Sequence, residues 1–390
     1  RRCKGRVSFA ALTRLRQGLA QRRLDGVERR RSVLDGAQGA HVVVNGTPLV
    51  SFCSNDYLGL AADPALIAAA HAALDTAGVG AGAAHLITGH HRFHEEFETA
   101  FADFVGKPAA LLFSSGWLAN LGVVTALTTR HSELFADKLN HASLIDAAQL
   151  SGAKVARYRH LDTAQLEGLL ARSTAADKFI ASDLVFSMDG DCAPVDELLD
   201  LAERHDAWLY LDDAHGFGVL GDGRGGLTPR ARVSERVIYM ATLGKAAGVA
   251  GAAVAAHPDV VAWLVNAARP YIYTTASPPA LAAALVASLR EVAAGAARRE
   301  RLARHIARFK AALAASPHGK LLPSDTPIQA LVVGGNAAAT ALSAWLAERG
   351  LLVAAIRTPT VPAGTARLRI TLSAAHSDAD VDRLIEALRA

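Results

Sequence analysis

The segment Ala207-Trp208-Leu209-Tyr210-Leu211-Asp212-Asp213-Ala214-His215 constrains the fold more than any other. It is a short apolar run that stops abruptly in two carboxylates and an imidazole. Such a run reads as a buried strand. Around it, strand-length runs alternate with helical patterns. Ala109–Phe113 reads as a strand, Trp117–Leu127 as a helix, Phe179–Phe186 as a strand and Val195–His205 as a helix. Ala207–Leu211 and Val237–Ala241 read as further strands. The alternation predicts an α/β chain with a mostly parallel sheet covered on both faces.

The flanks read differently. His41–Phe52 alternates around Asn45-Gly46 and reads as a hairpin. Leu66–Leu74 and Phe93–Val105 have helical spacing. Leu281–Ala315 reads as a long helix interrupted at Gly295, with Leu302, Ile306, Phe309 and Leu313 on one stripe. Strands are expected at Ile328–Val333, Leu351–Ile356 and Arg367–Leu372. Helices are expected over Ala338–Glu348 and after the N-cap Ser377. The boundaries are 1–45 for an N-terminal helical arm, 46–285 for a large domain and 286–390 for a small α+β domain.

Residues 1–31 carry eleven Lys and Arg against Asp25 and Glu28. A basic arm of this kind could meet nucleic acid, act as a targeting peptide, or lie near an anionic substrate. Phe9, Leu12, Leu15 and Leu19 recur at helical spacing, so the arm is expected as a helix packed on the body. No apolar stretch follows the basic residues, which argues against a signal peptide. With 51% hydrophobic and 20% charged residues, a disordered chain is excluded. No apolar run reaches membrane-spanning length. Cys3, Cys53 and Cys192 make neither a disulfide framework nor a zinc site, which fits a cytoplasmic protein.

In open α/β sheets, ligands bind beyond the carboxyl ends of strands. Lys245 follows Asp212 by 33 residues, about one strand–helix–strand unit, and lies just past the next strand. Two neighbouring strand ends would then present an acid and an amine to one crevice. Pyridoxal phosphate requires that pair: a lysine to bond it and a carboxylate to hold its ring nitrogen protonated. Ser114-Ser115-Gly116-Trp117 lies between a strand and a helix, where backbone N–H groups can face a phosphate. His141 could stack on a flat ring or move protons, or be only a hydrogen-bonded turn residue. Arg357 and Arg369 are candidate carboxylate partners. Two other patterns carry less. Gly216-Phe217-Gly218-Val219-Leu220-Gly221 fits the dinucleotide fingerprint, but more glycines and Pro229 follow it instead of a helix start. His90 and His94, with Glu95, lack a complete ligand motif, so no metal is expected.

These strings resemble the α-oxoamine synthases, fold-type I pyridoxal-phosphate enzymes, from about residue 7 onward. The resemblance rests on Ser54–Leu60, Asn140–Ser143, Phe186–Asp191, Asp212–Gly216, Thr242–Lys245 and Tyr273–Thr275. It implies a large domain around a mostly parallel seven-stranded sheet, a small C-terminal domain, and a homodimer with active sites at the interface. It further implies Lys245 as the Schiff-base lysine, Asp212 as the partner of the ring nitrogen, His141 stacked on the ring and His215 on its hydroxyl. Gly116, Trp117 and Thr242 would hold the cofactor, with Ser187 near the ring and Thr275 reaching the phosphate from the other subunit. Arg369 would take the amino-acid carboxylate, with Asn55 and Arg29 beside the substrate. The stretch Ala355–Arg369, including Arg357 and Thr360, points to members that condense L-alanine with a pimeloyl thioester, on CoA or a carrier protein. A relative acting on glycine is the nearest alternative, and a nicotinamide dehydrogenase the alternative from another class. Asp183 stands where the family usually has Glu, and Leu184 and Ala246 replace small glycines. Neither nucleic acid nor membrane is expected as a partner.

Overall fold

The computed structural model describes residues 9–29 and 31–390. Cys3 and the first basic residues of the arm lie outside the described residues. The centre is a seven-stranded sheet. Its order is Ala109–Phe113, Ala252–Ala256, Val237–Thr242, Ala207–Asp212, Lys178–Asp183, Glu133–Asp137 and Lys154–Tyr158. Only Ala252–Ala256 runs antiparallel to its neighbours. The strands are apolar on both faces because helices cover both. Leu209 and Leu211 enter one core cluster, and Tyr210 and Ile238 enter the other.

The Asn45-Gly46 hairpin forms as expected, with Val44 opposite Thr47 and φ of 50° and 78° at its two central residues. Those positive values suit Asn and Gly. The hairpin joins Leu34–Asp35 and, in parallel, Leu351–Leu352. Leu351–Ile356 is therefore two strands and not one. Ala354–Ile356 pairs instead with Ala366–Thr371 in a second four-stranded sheet. Val353, between them, is buried where the chain passes from one sheet to the other. The Phe179–Phe186 strand is shorter than expected and stops at Asp183, after which the backbone turns.

The long helix breaks at Gly295 into Pro279–Ala293 and Ala296–Ala312, bent by 67°. Leu302, Ile306, Phe309 and Leu313 are all buried. Ser377 caps Asp378–Arg389 in a reciprocal box with Asp380. Ala10–Leu24 is helical as expected, but it does not pack on the body. None of its residues is buried, and Phe9 is 72% and Leu15 66% exposed. Its stripe has no counterpart surface within the described chain. Among the described residues no single helix is long and apolar enough to cross a membrane.

Candidate active site

The carboxyl edge of the large sheet collects most of the polar side chains singled out in the sequence. Ala207–Asp212 and Val237–Thr242 are adjacent parallel strands, with Asp212 opposite Met240. The buried Asp212 accepts from Asn120 Nδ2 at 2.8 Å and from the Ala214 N–H at 3.0 Å. Lys245 lies three residues past its strand, and its Nζ is 3.2 Å from His215 Nε2. Burial pulls the Lys245 ammonium down to about 8, against the opposing pull of Asp212 and Asp183. A neutral, nucleophilic fraction of the amine thus exists near neutral pH. On its other side, His215 Nδ1 is 2.6 Å from the buried Tyr57 hydroxyl. Burial, then the charges of Lys245 and Arg369, hold His215 well below its ordinary value, so its ring is neutral.

His141 caps the helix Ala142–Leu150, with Nδ1 2.7 Å from Ser143 Oγ. It is thus hydrogen-bonded in a turn, and it also faces the site: Trp117 meets its ring edge-on at 6.2 Å. Burial lowers its basicity while Asp212 pulls the other way. Its backbone N–H donates to Asp183 Oδ2 at 2.6 Å. Burial and the like charge of Asp212 raise Asp183 well above the usual carboxylate range.

Gly116 opens the helix Gly116–Leu127, whose first N–H groups have no partner within the helix. A Cβ at Gly116 would stand 2.5 Å from Thr242 Cγ2. The helix start and the strand end therefore touch, and only glycine permits it. Thr242 Oγ1 donates to Ala214 O at 3.3 Å. Thr275 pairs with Ala84 and lines, with Ser114, a cleft of about 240 Å³. Lys245 and Asn55 line another, of about 440 Å³.

The candidate substrate residues separate into two groups. Arg369 donates from Nε to Ser187 O at 2.5 Å and from Nη1 to Asn55 Oδ1 at 3.2 Å. Its Nη2 is buried with no partner. In the second group, Arg357 donates to Gly26 O, and Arg29 Nη2 reaches Thr360 Oγ1 at 3.4 Å. The chain that follows the first helix crosses the loop after Ala354–Ile356 there.

Sequence reasoning passed over Asn120. It is fully buried, accepts from Tyr210 Oη at 2.6 Å, and donates to both Ser143 Oγ and Asp212 at 2.8 Å. The available signal was a lone Asn one turn into the apolar helix that begins at Gly116. Tyr57, within Ser54–Leu60, carries no signal of its contact with His215 in the sequence. The glycine pattern Gly216–Gly221 leads into a three-residue turn, Gly221–Gly223, and not into the helix a dinucleotide site needs. His85 joins His90 and His94 in one cluster. His94, however, takes the His91 N–H on Nδ1 and meets Ser277 O with Nε2, both at 2.9 Å. Neither nitrogen could bind a metal without breaking a contact.

Residues 47–388 match the family described as Aminotransferase class I and II. The 8-amino-7-oxononanoate synthase of Thiobacillus denitrificans is 71% identical over 98% of this chain and 99% of its own length. The crystal structure of 8-amino-7-oxononanoate synthase from Francisella tularensis superposes with a TM-score of 0.76 at 32% identity, covering 87% of this chain and 97% of that one. A lysine-to-alanine variant of serine palmitoyltransferase from S. paucimobilis, with a bound PLP–myriocin aldimine, superposes with a TM-score of 0.91 at 28% identity, covering 98% of each chain.

Proposed function

The chain belongs to the aminotransferase class I and II family and to its 8-amino-7-oxononanoate synthases, and from that premise we propose how its own residues make 8-amino-7-oxononanoate. It is a pyridoxal-phosphate-dependent acyltransferase of biotin synthesis. The substrates we assign are L-alanine and a pimeloyl thioester. A carbon–carbon bond forms between the alanine Cα and the pimeloyl carbonyl, the thiol leaves, and the alanine carboxyl departs as CO2.

The residues fit the cofactor. A buried carboxylate and a lysine of lowered basicity share one strand edge, and the Gly116–Thr242 contact shapes a side-chain-free cradle at a helix N-terminus. Asp212 would hold the ring nitrogen, His215 the ring hydroxyl, and the Gly116 and Trp117 amides with Thr242 the phosphate. His141 would lie against the ring, with Ser187 nearby. When bound, pyridoxal phosphate supplies the electron sink that steadies charge at the amino-acid Cα.

Lys245 moves the proton at that carbon. Asp212, fixed by Asn120 and the Ala214 N–H, keeps its charge aimed in one direction. Arg369 takes the alanine carboxylate, and its unpartnered Nη2 supports this. Asn55 orients Arg369. Arg29, Arg357 and Thr360 receive the far end of the acyl chain. A homodimer is part of the proposal: the uncovered stripe of Ala10–Leu24 would be covered by a second copy, and Thr275 would reach the partner's phosphate.

The observation that carries this reading is the placement of Asp212 and Lys245 at the ends of adjacent parallel strands. A substrate panel tests it: alanine, glycine and serine against pimeloyl-, acetyl- and succinyl-CoA. Alanine with pimeloyl-CoA should release CO2 and free thiol fastest. Preference for glycine with acetyl-CoA would overturn the substrate assignment.

A further inference from the structure

The ring of His160 lies between two carboxylates. Nδ1 is 3.1 Å from Asp137 Oδ1 at the end of Glu133–Asp137, and Nε2 is 2.8 Å from Asp191 Oδ2. Both nitrogens thus face acceptors, a pattern that only the doubly protonated ring satisfies. The ring also stands edge-on to Phe186, 4.4 Å between centroids. Asp137 is fully buried and also accepts from the N–H groups of Leu139 and Leu161. It is a fixed post, and His160 ties Asp191 to it.

Asp191 closes the loop Phe186–Cys192. The Phe186 N–H donates to Asp191 O at 2.9 Å, and the Gly190 N–H donates to Phe186 O at 2.8 Å. The other side of the loop faces the small domain. Gly190 O accepts from Ser324 Oγ at 2.8 Å and from Thr326 Oγ1 at 3.0 Å. A Cβ at Gly190, where φ is 80°, would stand 2.4 Å from Ile328 O, so the approach requires glycine. Asp189 pairs with Arg367, and Ser187 O accepts from Arg369 Nε. The loop is therefore the seat of Arg369, and His160 is the imidazole among these anchors, the one whose charge changes in the ordinary pH range.

We propose that His160 is a positioning residue: bridging Asp137 and Asp191, it locks the Phe186–Cys192 loop and so aims Arg369 at the amino-acid carboxylate. The two flanking carboxylates outweigh the effect of burial and raise the imidazolium to about 9, so the bridge persists at neutral pH. The other charged groups facing this loop are Asp189, whose carboxylate also lies near the His160 ring, Arg367, which pairs with Asp189, Arg369 on Ser187 O, and Asp213 and Asp325, which act on Cys192 at its end. The inference rests on Arg369 being the carboxylate partner of alanine.

Two measurements test it on the holoenzyme. In the wild type, 15N-detected NMR should show both His160 ring nitrogens protonated near pH 8; a neutral tautomer there would overturn the bridge. In His160→Gln, the Michaelis constant for alanine should rise on the order of tenfold, the scale of one weakened charged contact. Alanine titration of the visible band should show the same loss. Turnover at saturating alanine and the Michaelis constant for the acyl thioester should change less than about twofold. A merely structural residue would instead lower the active fraction and leave the alanine constant unmoved, and that result would overturn the proposal. If His160→Gln does not fold, Asp191→Asn keeps the Asp137 contact and should show the same split. Failure of the wild type to use alanine at all would defeat the site reading itself, whereas wild-type turnover with an unmoved constant in both variants would defeat only the role of His160.

Discussion

Asn120 donates to Asp212 Oδ2 at 2.8 Å from the helix that begins at Gly116, so one helix both meets Thr242 at its start and orients the carboxylate. Asp212→Asn keeps the size and removes the charge. Turnover should fall on the order of 10²–10³-fold, the typical cost of losing a preorganised electrostatic partner. Asn120→Ala leaves Asp212 charged and held by the Ala214 N–H alone, and it strips partners from Tyr210 and Ser143. It should cost about 1–3 kcal/mol of stability and a smaller share of activity. Thermal melts and steady-state rates on both variants check the ranking. An Asn120→Ala enzyme as impaired as Asp212→Asn would assign Asn120 a direct part in the chemistry.

Arg357 spends one donor on Gly26 O, and a guanidinium has five. If it also reads the far carboxylate of the acyl chain, Arg357→Ala should raise the Michaelis constant for pimeloyl-CoA roughly tenfold to a hundredfold. Alanine binding should barely change, because we assign that carboxylate to Arg369. A donor of equal length without the distal carboxylate is the control. Equal losses on both donors would show that Arg357 only braces the chain after the first helix.

His160 also sets a pH dependence of stability. Its folded value is raised from 6.5 to about 9, so its contribution is complete below 6.5 and is lost as pH rises through about 9. The difference in melting temperature between wild type and His160→Gln should be largest near about pH 6 and shrink toward about pH 10. A difference that grows with pH would contradict the imidazolium bridge.

The uncovered stripe on the first helix predicts association. Replacing Leu12, Leu15 and Leu19 by Ser should shift the protein toward monomer in analytical ultracentrifugation while leaving the melting of the body unchanged. A wild type that is monomeric at micromolar concentration would contradict the homodimer.

The parts legible in the sequence share a physical cause. Ala207–Asp212 and Val237–Thr242 are apolar runs that break sharply, so both ends of the Asp212–Lys245 pair could be placed from spacing alone. Glu133–Asp137 escaped because charges at both ends leave a short apolar run between them, and Lys154–Tyr158 because Arg157 interrupts it and, on the sheet edge, it exposes Lys154, Val155 and Arg157. Ala252–Ala256 is alanine-rich, and only the strands on either side make it a strand. His160 escaped because the strand before it, Lys154–Tyr158, is itself not legible in the sequence, so nothing sets its ring beside Asp137 and Asp191. Asn120 reads as a helix residue until the fold sets Tyr210, Ser143 and Asp212 around it.

Lys107 is a buried lysine with which Lys245 can be compared. Burial also pulls its ammonium down to about 8, yet it donates to Ala231 O at 3.2 Å and Ser234 O at 2.8 Å. It is held by carbonyls, whereas Lys245 faces His215 and the charge of Asp212. Lowered basicity alone therefore does not single out one lysine; we propose Lys245 because it lies at the strand edge beside Asp212. Borohydride reduction of the pyridoxal-phosphate-loaded protein, followed by peptide mass mapping, tests this most directly. A phosphopyridoxyl mass is expected on the peptide that carries Lys245, and none in the Lys245→Ala variant. The same mass on Lys107 or any other lysine, with Lys245 unmodified, would contradict it.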